Sequence, residues 1–404
     1  MAISILLLTS KDSEVESLIN STQSLPCVRC GSCKALCPTY EVDSVEGMSA
    51  RGRIVLLKKL LEREIEPSDL LEKRIFSCIL CGACNRLCPL GIDITNAIYK
   101  GRISLRGLNK KRRIISFALM QGFKRPSTAF KILRLLEALN NLVPLNKIQP
   151  LKTFRNLDIV FPDLTLRDDI YIFKALKPKG RIAVFAGCTV NFLYPDIGKA
   201  LVRFLNKLEY DVILPRGEAC CGAPLMGLGF EEEAKELAKR NLNTFKKMNV
   251  EAVIGICPTC IHFIKNDYKR LIGDRLDNAM EISQFFKKNN LQSLIPNRQK
   301  IVYHDPCHSV YGLDVKAQPR QILKSIGFDI INSESGCCGF GGTFRLLYQE
   351  LSEEILEKRV EEYKNAEMII TSCPNCILQL KTRIKDKPVR HLIEIINEST
   401  GEKK

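Results

Sequence analysis

Between residues 179 and 299, short apolar runs alternate with longer amphipathic stretches, and the period of each predicts its element. Residues 181–186, 211–214 and 252–256 are short, mostly apolar runs of the kind that form buried strands. Residues 196–209 and 231–248 repeat their apolar positions at helical spacing. The resulting βαβαβ rhythm predicts a parallel sheet covered by helices. The pattern then recurs: Arg181-Ile182-Ala183-Val184 is matched by Lys300-Ile301-Val302-Tyr303, and Ala252-Val253-Ile254-Gly255 by Met368-Ile369-Ile370-Thr371. A duplicated domain accounts for this most economically. The first 99 residues have no such strands and predict helices instead, around residues 53–64 and 69–76.

Cysteine placement changes the picture most. All 18 cysteines fall into four groups. Cys27, Cys30, Cys33 and Cys37, followed by Pro38, and Cys78, Cys81, Cys84 and Cys88, followed by Pro89, each read C-x2-C-x2-C-x3-C-P. This is the bacterial ferredoxin run, in which three thiolates hold one 4Fe-4S cubane and the fourth holds its neighbour. The ligand sets are then Cys27, Cys30, Cys33 and Cys88 for one cluster, and Cys78, Cys81, Cys84 and Cys37 for the other. Soft thiolates suit iron, and the small residues Gly31, Ser32, Gly82 and Ala83 let the loops close around sulfur with backbone N–H groups free. A zinc ribbon would give no role to the third cysteine of each run or to the proline.

The other ten cysteines follow the duplication. Cys188, Cys220-Cys221-Gly222 and Cys257-Pro258-Thr259-Cys260 belong to the first unit. Cys307, Cys337-Cys338-Gly339 and Cys373-Pro374-Asn375-Cys376 belong to the second. Each group lies at or just past the carboxyl end of an expected strand, where ligands bind in open parallel sheets. Five thiols meet per unit, one more than a cubane uses. These ten are the candidate catalytic residues as well as metal ligands. His304 and His308 flank Cys307, as a proton relay or as residues closing a turn; His262 and His391 read as ordinary. The loops around Gly227 and Gly229, and Gly339, Gly341 and Gly342, follow neither G-x-G-x-x-G nor the P-loop, so nucleotide binding is not expected.

The net charge of +16 is uneven: residues 100–134 hold eleven Lys or Arg and no Asp or Glu. After Pro126, with Ser127 or Thr128 as N-cap, Phe130, Leu133, Leu136, Leu139 and Val143 share a helical face. A basic amphipathic helix packs on its own chain, docks an acidic partner or lies on anionic lipid. Without a recognised nucleic-acid module, the charge does not imply nucleic acid. Cysteines arranged for metal imply a reducing, cytoplasmic compartment. Residues 3–8 are apolar but lack a basic flank, so no signal peptide is expected, and no run approaches the roughly 20 apolar residues of a membrane span.

With the cysteines, Cys37-Pro38-Thr39-Tyr40, Ser49-Ala50-Arg51-Gly52-Arg53-Ile54, His304-Asp305-Pro306-Cys307-His308 and Gln318-Pro319-Arg320 resemble the CCG-domain (cysteine-rich domain) iron-sulfur family. That family includes the D-type subunit of heterodisulfide reductase and the iron-sulfur subunit of glycolate or lactate oxidase. The resemblance implies an α/β fold with an all-α N-terminal region. A helical two-cluster ferredoxin domain (1–99) and a basic helical linker (100–178) precede two tandem Rossmann-like CCG domains (179–299 and 300–404). It also implies two noncubane 4Fe-4S clusters in the CCG domains, beside the two cubanes. The Ser-Ala-Arg-Gly-Arg-Ile and Asp-Pro-Cys-His segments are closer to the hydroxy-acid oxidase side. With no dinucleotide fingerprint here, the flavin is expected on a partner dehydrogenase. Electrons would leave to a quinone, a membrane cytochrome b or a thiol-disulfide couple, at the cytoplasm or at the inner membrane face through a partner or the basic segment. The alternative is a D-type catalytic subunit of heterodisulfide reductase, which reduces a disulfide.

Overall fold

The computed structural model describes residues 26–140, 162, 164–169, 172–289, 299–331, 333 and 336–400. The apolar run at residues 3–8 and Val143 lie outside them. The chain divides into two compact units, and neither is continuous in sequence. One holds the described residues up to Gln121 together with Pro224–Glu231 and Gly339–Ile355; the other holds Gly122–Ala223, Glu232–Cys338 and the rest of the chain.

In the first unit, α1 (Ala50–Leu61), α2 (Asp69–Phe76) and α3 (Ile94–Leu105) bury Ile54, Leu57, Leu71, Ile75 and Ile98 in one apolar core. α1 starts earlier than its apolar period predicts because the Ser49 hydroxyl caps it, accepting from the Gly52 N–H at 2.9 Å. α2 matches its expected bounds, with Ser68 accepting from the Leu71 N–H at 3.2 Å. The basic stretch forms α4 (Lys110–Lys124), mostly in this unit, and α5 (Pro126–Asn140), which belongs to the other unit. Pro126 itself is the first residue of α5, a position its fixed φ and missing N–H favour, so neither Ser127 nor Thr128 is the cap. Phe130, Leu133 and Leu136 form the half-buried face of α5, and Phe130 stacks on Phe192 with 4.5 Å between centroids. Ile132 and Leu135 are exposed on it, as are Ile114 and Phe117 on α4. Among the described residues no helix is long and apolar enough to cross a membrane.

The second unit contains two sheets. The first has strand order β1-β3-β2-β4-β5, from β1 (Ile172–Phe173), β2 (Gly180–Phe185), β3 (Tyr210–Ile213), β4 (Ala252–Gly255) and β5 (Ala279–Glu281). Only β1 runs antiparallel; Ile182 pairs with Ala252, and Val184 with Ile254. α6 (Pro195–Lys207) connects β2 to β3, and α7 (Glu231–Lys246) leads back to β4. The second sheet, of order β7-β6-β8-β9, is wholly parallel and consists of β6 (Lys300–Tyr303), β7 (Asp329–Ile331), β8 (Met368–Thr371) and β9 (Val389–His391). α8 (Ala317–Ile326) follows β6, α9 (Gln349–Glu362) precedes β8, and α10 (Pro374–Lys381) follows it. β2, β4, β6 and β8 are almost wholly buried, which is why they read as unbroken apolar runs.

Candidate iron–sulfur sites

The two ferredoxin runs make the same turn. Arg29 and Leu80, third in their loops, have φ of 57° and 60°, and Gly31 and Gly82 have 89° and 80°. The glycines sit in the left-handed region without a Cβ penalty, whereas Arg29 and Leu80 carry a cost of about 1 kcal/mol each. One cavity is lined by Cys27, Cys30, Cys33 and Cys88, and the other by Cys37, Cys78, Cys81 and Cys84. The fold thus brings the fourth cysteine of each run to the first three of the other. Burial, then neighbouring Cys78 and Cys37, pushes the Cys84 thiol well above its ordinary range. Four soft donors lining one cavity fit a multivalent iron cluster, whose charge would offset what raises the Cys84 thiol.

The Arg51 and Arg53 positions acquire separate roles. Arg51 clamps Glu46 through Nε at 2.8 Å and donates from Nη1 to the Arg29 carbonyl at 3.0 Å, tying α1 to the first cysteine loop. Its guanidinium, ahead of Lys34, holds Glu46 down to about 2. Arg53 is fully buried and donates to the carbonyls of Met48 and Arg74 and to the hydroxyls of Thr39 and Ser77. Thr39 lies two residues past Cys37 and Ser77 just before Cys78. Arg102, also buried, donates to the carbonyls of Phe76 and Gly227 at 3.0 and 2.6 Å and to that of Cys78. Chemistry read from the sequence singles out neither arginine, because a buried cation is there indistinguishable from a surface one.

In the second unit, all ten remaining cysteines lie on the segments that follow β2, β3, β4, β6, β7 and β8, and eight of them are buried. Sulfur contacts run from Cys188 to Cys220, on to Cys221 and Cys260, and then to Cys257. In the second group, Cys338 Sγ lies 3.3 Å from Cys376 Sγ, and Cys376 touches Cys373. Contact with Cys220, then burial, raises the Cys188 thiol well above its usual range, and contact with Cys338 does the same to Cys376. Cys257 and Cys373 are each the N-cap of a helix whose first residue is proline, so Pro258 and Pro374 set the direction in which the following cysteine points. Gly222 and Gly339, with φ of 97° and 83°, turn the chain after each cysteine pair.

The two groups adjoin, since Cys257 contacts Cys373. Asn375 bridges them, accepting from the Thr189 hydroxyl at 2.7 Å and donating to Cys257 Sγ at 3.7 Å. His391 Nε2 lies 3.1 Å from the Ile256 carbonyl, just before Cys257, and its other nitrogen accepts from the Ile393 N–H at 3.2 Å. At the end of β5, Glu281 bonds the Ser283 N–H at 2.7 Å, and burial raises it to about 7. Tyr303 meets the Ser372 hydroxyl at 3.0 Å. Glu218 accepts from the N–H groups of Ala186 and Gly187, fixing the Cys188 loop, and Asn241 holds Ala219 and Cys220. Sequence reasoning misses Glu218, Asn241 and Glu281 and reads His391 as ordinary. Their distance from the motifs along the chain hides them.

His308 Nδ1 lies 3.0 Å from the Thr259 hydroxyl and 3.9 Å from Cys307 Sγ, and its ring stacks on His262 at 5.1 Å. Asp305 pairs with Arg320 through two bonds of 2.7 Å, which ties the Gln318-Pro319-Arg320 segment to the Asp-Pro-Cys-His segment. His304 is buried, with Nδ1 2.7 Å from the Tyr363 hydroxyl, and burial pushes its pKa down to about 4.

Residues 182–265 and 301–381 match the CCG cysteine-rich domain, and residues 23–92 match the 4Fe-4S dicluster domain. An uncharacterized iron-sulfur protein of Methanococcus maripaludis is 30% identical over 92% of this chain and 72% of its own length. The probable glycolate oxidase iron-sulfur subunit of Bacillus subtilis is 27% identical over 96% of this chain and 97% of its own. The D-type subunit of the dihydromethanophenazine:CoB–CoM heterodisulfide reductase of Methanosarcina barkeri is 28% identical over 93% of each. A crystal structure of a hypothetical protein from Helicobacter pylori shares the fold at a TM-score of 0.53 and 12% identity, over 98% of this chain and 77% of that one. Sulfur-lined cavities under a dicluster match, together with the paired cysteine edges, place the chain in the class of iron–sulfur oxidoreductase subunits. It belongs to the family of CCG-domain iron–sulfur proteins.

Proposed function

We propose that this chain is the electron-relay subunit of a flavin-linked 2-hydroxy acid dehydrogenase, taking electrons from lactate or glycolate by way of a flavoprotein partner. The two cavities, each lined by four cysteines, carry the reading. Cubane clusters bound there would accept and pass one electron at a time. Cys27, Cys30, Cys33 and Cys88 would hold one, and Cys37, Cys78, Cys81 and Cys84 the other. The αL turns at Gly31 and Gly82 would leave backbone N–H groups free for cluster sulfide, and Arg51, Arg53 and Arg102 keep the loops in place. The five cysteines of each CCG group would hold the receiving centres, noncubane as the family resemblance implies, and pass electrons to a quinone, a membrane cytochrome b or a thiol-disulfide acceptor. We place this activity in the cytoplasm, or at the inner membrane face through a partner.

Protein purified without oxygen should contain about sixteen irons per chain, four for each cysteine group. About eight, unchanged by reconstitution, would leave the CCG groups without iron; stoichiometric zinc would overturn the reading. The isolated chain should not oxidise lactate or glycolate with an artificial acceptor, whereas adding its flavoprotein partner should restore that reaction. A second reading, disulfide reduction at the CCG sites, is favoured by the contact of Cys257 with Cys373, which joins the two groups into one run of adjoining thiols. Disulfide reduction by the isolated chain with an artificial donor would select it.

A further inference from the structure

The two repeats differ in the character of a buried pair. In register, Phe185 of β2 lies opposite Gly255, and the residue at that place in the second repeat is His304, whose N–H donates to the Ile370 carbonyl at 2.8 Å just past β6. Phe185 packs on Phe245 with 5.5 Å between centroids, and His304 packs on Tyr363 at 5.9 Å. An apolar pair in the first repeat is thus a polar pair in the second. Burying an imidazole where phenylalanine serves elsewhere costs stability unless both nitrogens are used. Tyr363 uses Nδ1, at 2.7 Å. Among the described residues Nε2 is buried with no hydrogen-bond partner, and a ring nitrogen of His304 belongs to a group with Cys338 and Cys376 whose donor atoms all lie within 4.8 Å of one another.

We propose that His304 Nε2 is a nitrogen ligand of the second CCG site, beside Cys338 and Cys376, so that the two repeats hold chemically different centres. The inference rests on the reading that the CCG cysteines bind iron. Nδ1–H donates to the Tyr363 hydroxyl, which orients the ring and leaves the Nε2 lone pair for metal, the usual arrangement of a ligating histidine.

The test uses the full-length iron-loaded protein, with histidine labelled with nitrogen-15 or unlabelled, and pulsed electron paramagnetic resonance on the signal that Cys338→Ser removes. A strong histidine nitrogen coupling that changes with the isotope is expected. The double substitution His304→Phe with Tyr363→Phe recreates the pair the first repeat already packs, so the fold should hold while the coupling disappears. Iron at the second site without histidine nitrogen coupling in the unsubstituted protein overturns the ligation alone. Absence of iron from that site overturns both the ligation and the reading beneath it.

Discussion

Cys338→Ser protein is expected to lose about four of its roughly sixteen irons and to fall about 100-fold or more in electron delivery to the terminal acceptor. Serine replaces a soft thiolate with a hydroxyl that is rarely ionised near neutrality, at a position where the native Sγ lies 3.3 Å from Cys376 Sγ. Cys338 is buried, so water cannot readily complete the coordination. The ferredoxin groups belong to the other unit and share no cysteine with this one. Their low-temperature paramagnetic signals should survive, and the upstream flavoprotein should still reduce them. Iron analysis and stopped-flow reduction read the two halves separately. Unchanged iron content and turnover would show that the cysteine pair is structural and that electrons do not leave through the CCG sites.

The second large effect is expected at Arg53. Its guanidinium is fully buried and donates in several directions: from Nε to the Arg74 carbonyl at 2.7 Å, from Nη1 to the Met48 carbonyl at 2.6 Å and the Thr39 hydroxyl at 3.1 Å, and from Nη2 to Ser77 at 3.2 Å. Arg53→Met keeps the apolar stem and removes the fork. Hydrogen bonds from a charged group contribute about 1.5–3 kcal/mol each before the relief of desolvation, so a net loss on the order of 3 kcal/mol follows for the first unit. Lysine should not rescue, because one ammonium cannot reproduce a planar fork. Since Thr39 and Ser77 adjoin Cys37 and Cys78, the cluster those cysteines hold should be the one released faster to a chelator. Urea titration followed by visible absorption measures the first effect, and timed iron release measures the second. A variant with wild-type midpoint and release rate would mean that these bonds do no more than replace bonds to water.

The local chemistry is readable from sequence because it is written in short spacings. A C-x2-C-x2-C loop needs its glycine at a fixed offset, so the turns at Gly31 and Gly82 follow from nearest neighbours. Strands buried on both faces show as unbroken apolar runs, which is why β2, β4, β6 and β8 and the duplication are legible. Two-residue β1 and three-residue β5 lack enough length to register a period. Helix ends are harder to place: Ser49 extends α1 and Pro126 opens α5, both through cap chemistry that the apolar period does not carry.

By itself the sequence determined the four cysteine groups, the two repeats and the donor chemistry, because thiol identity and spacing are properties of short segments. Tertiary structure decided what those segments meet. It placed Pro224–Glu231 and Gly339–Ile355, each beginning within a few residues of a cysteine pair, in the same unit as the ferredoxin runs. It brought Asn375 between the two CCG groups and His391 to the loop of Cys257, although His391 and its partner Ile256 are 135 residues apart. It also left one nitrogen of His304 without a partner among the described residues, beside Cys338 and Cys376. The physical reason is common to all three. A long-range contact depends on how two separately folded surfaces close over each other, and the polar residues that settle it have no periodicity along the chain.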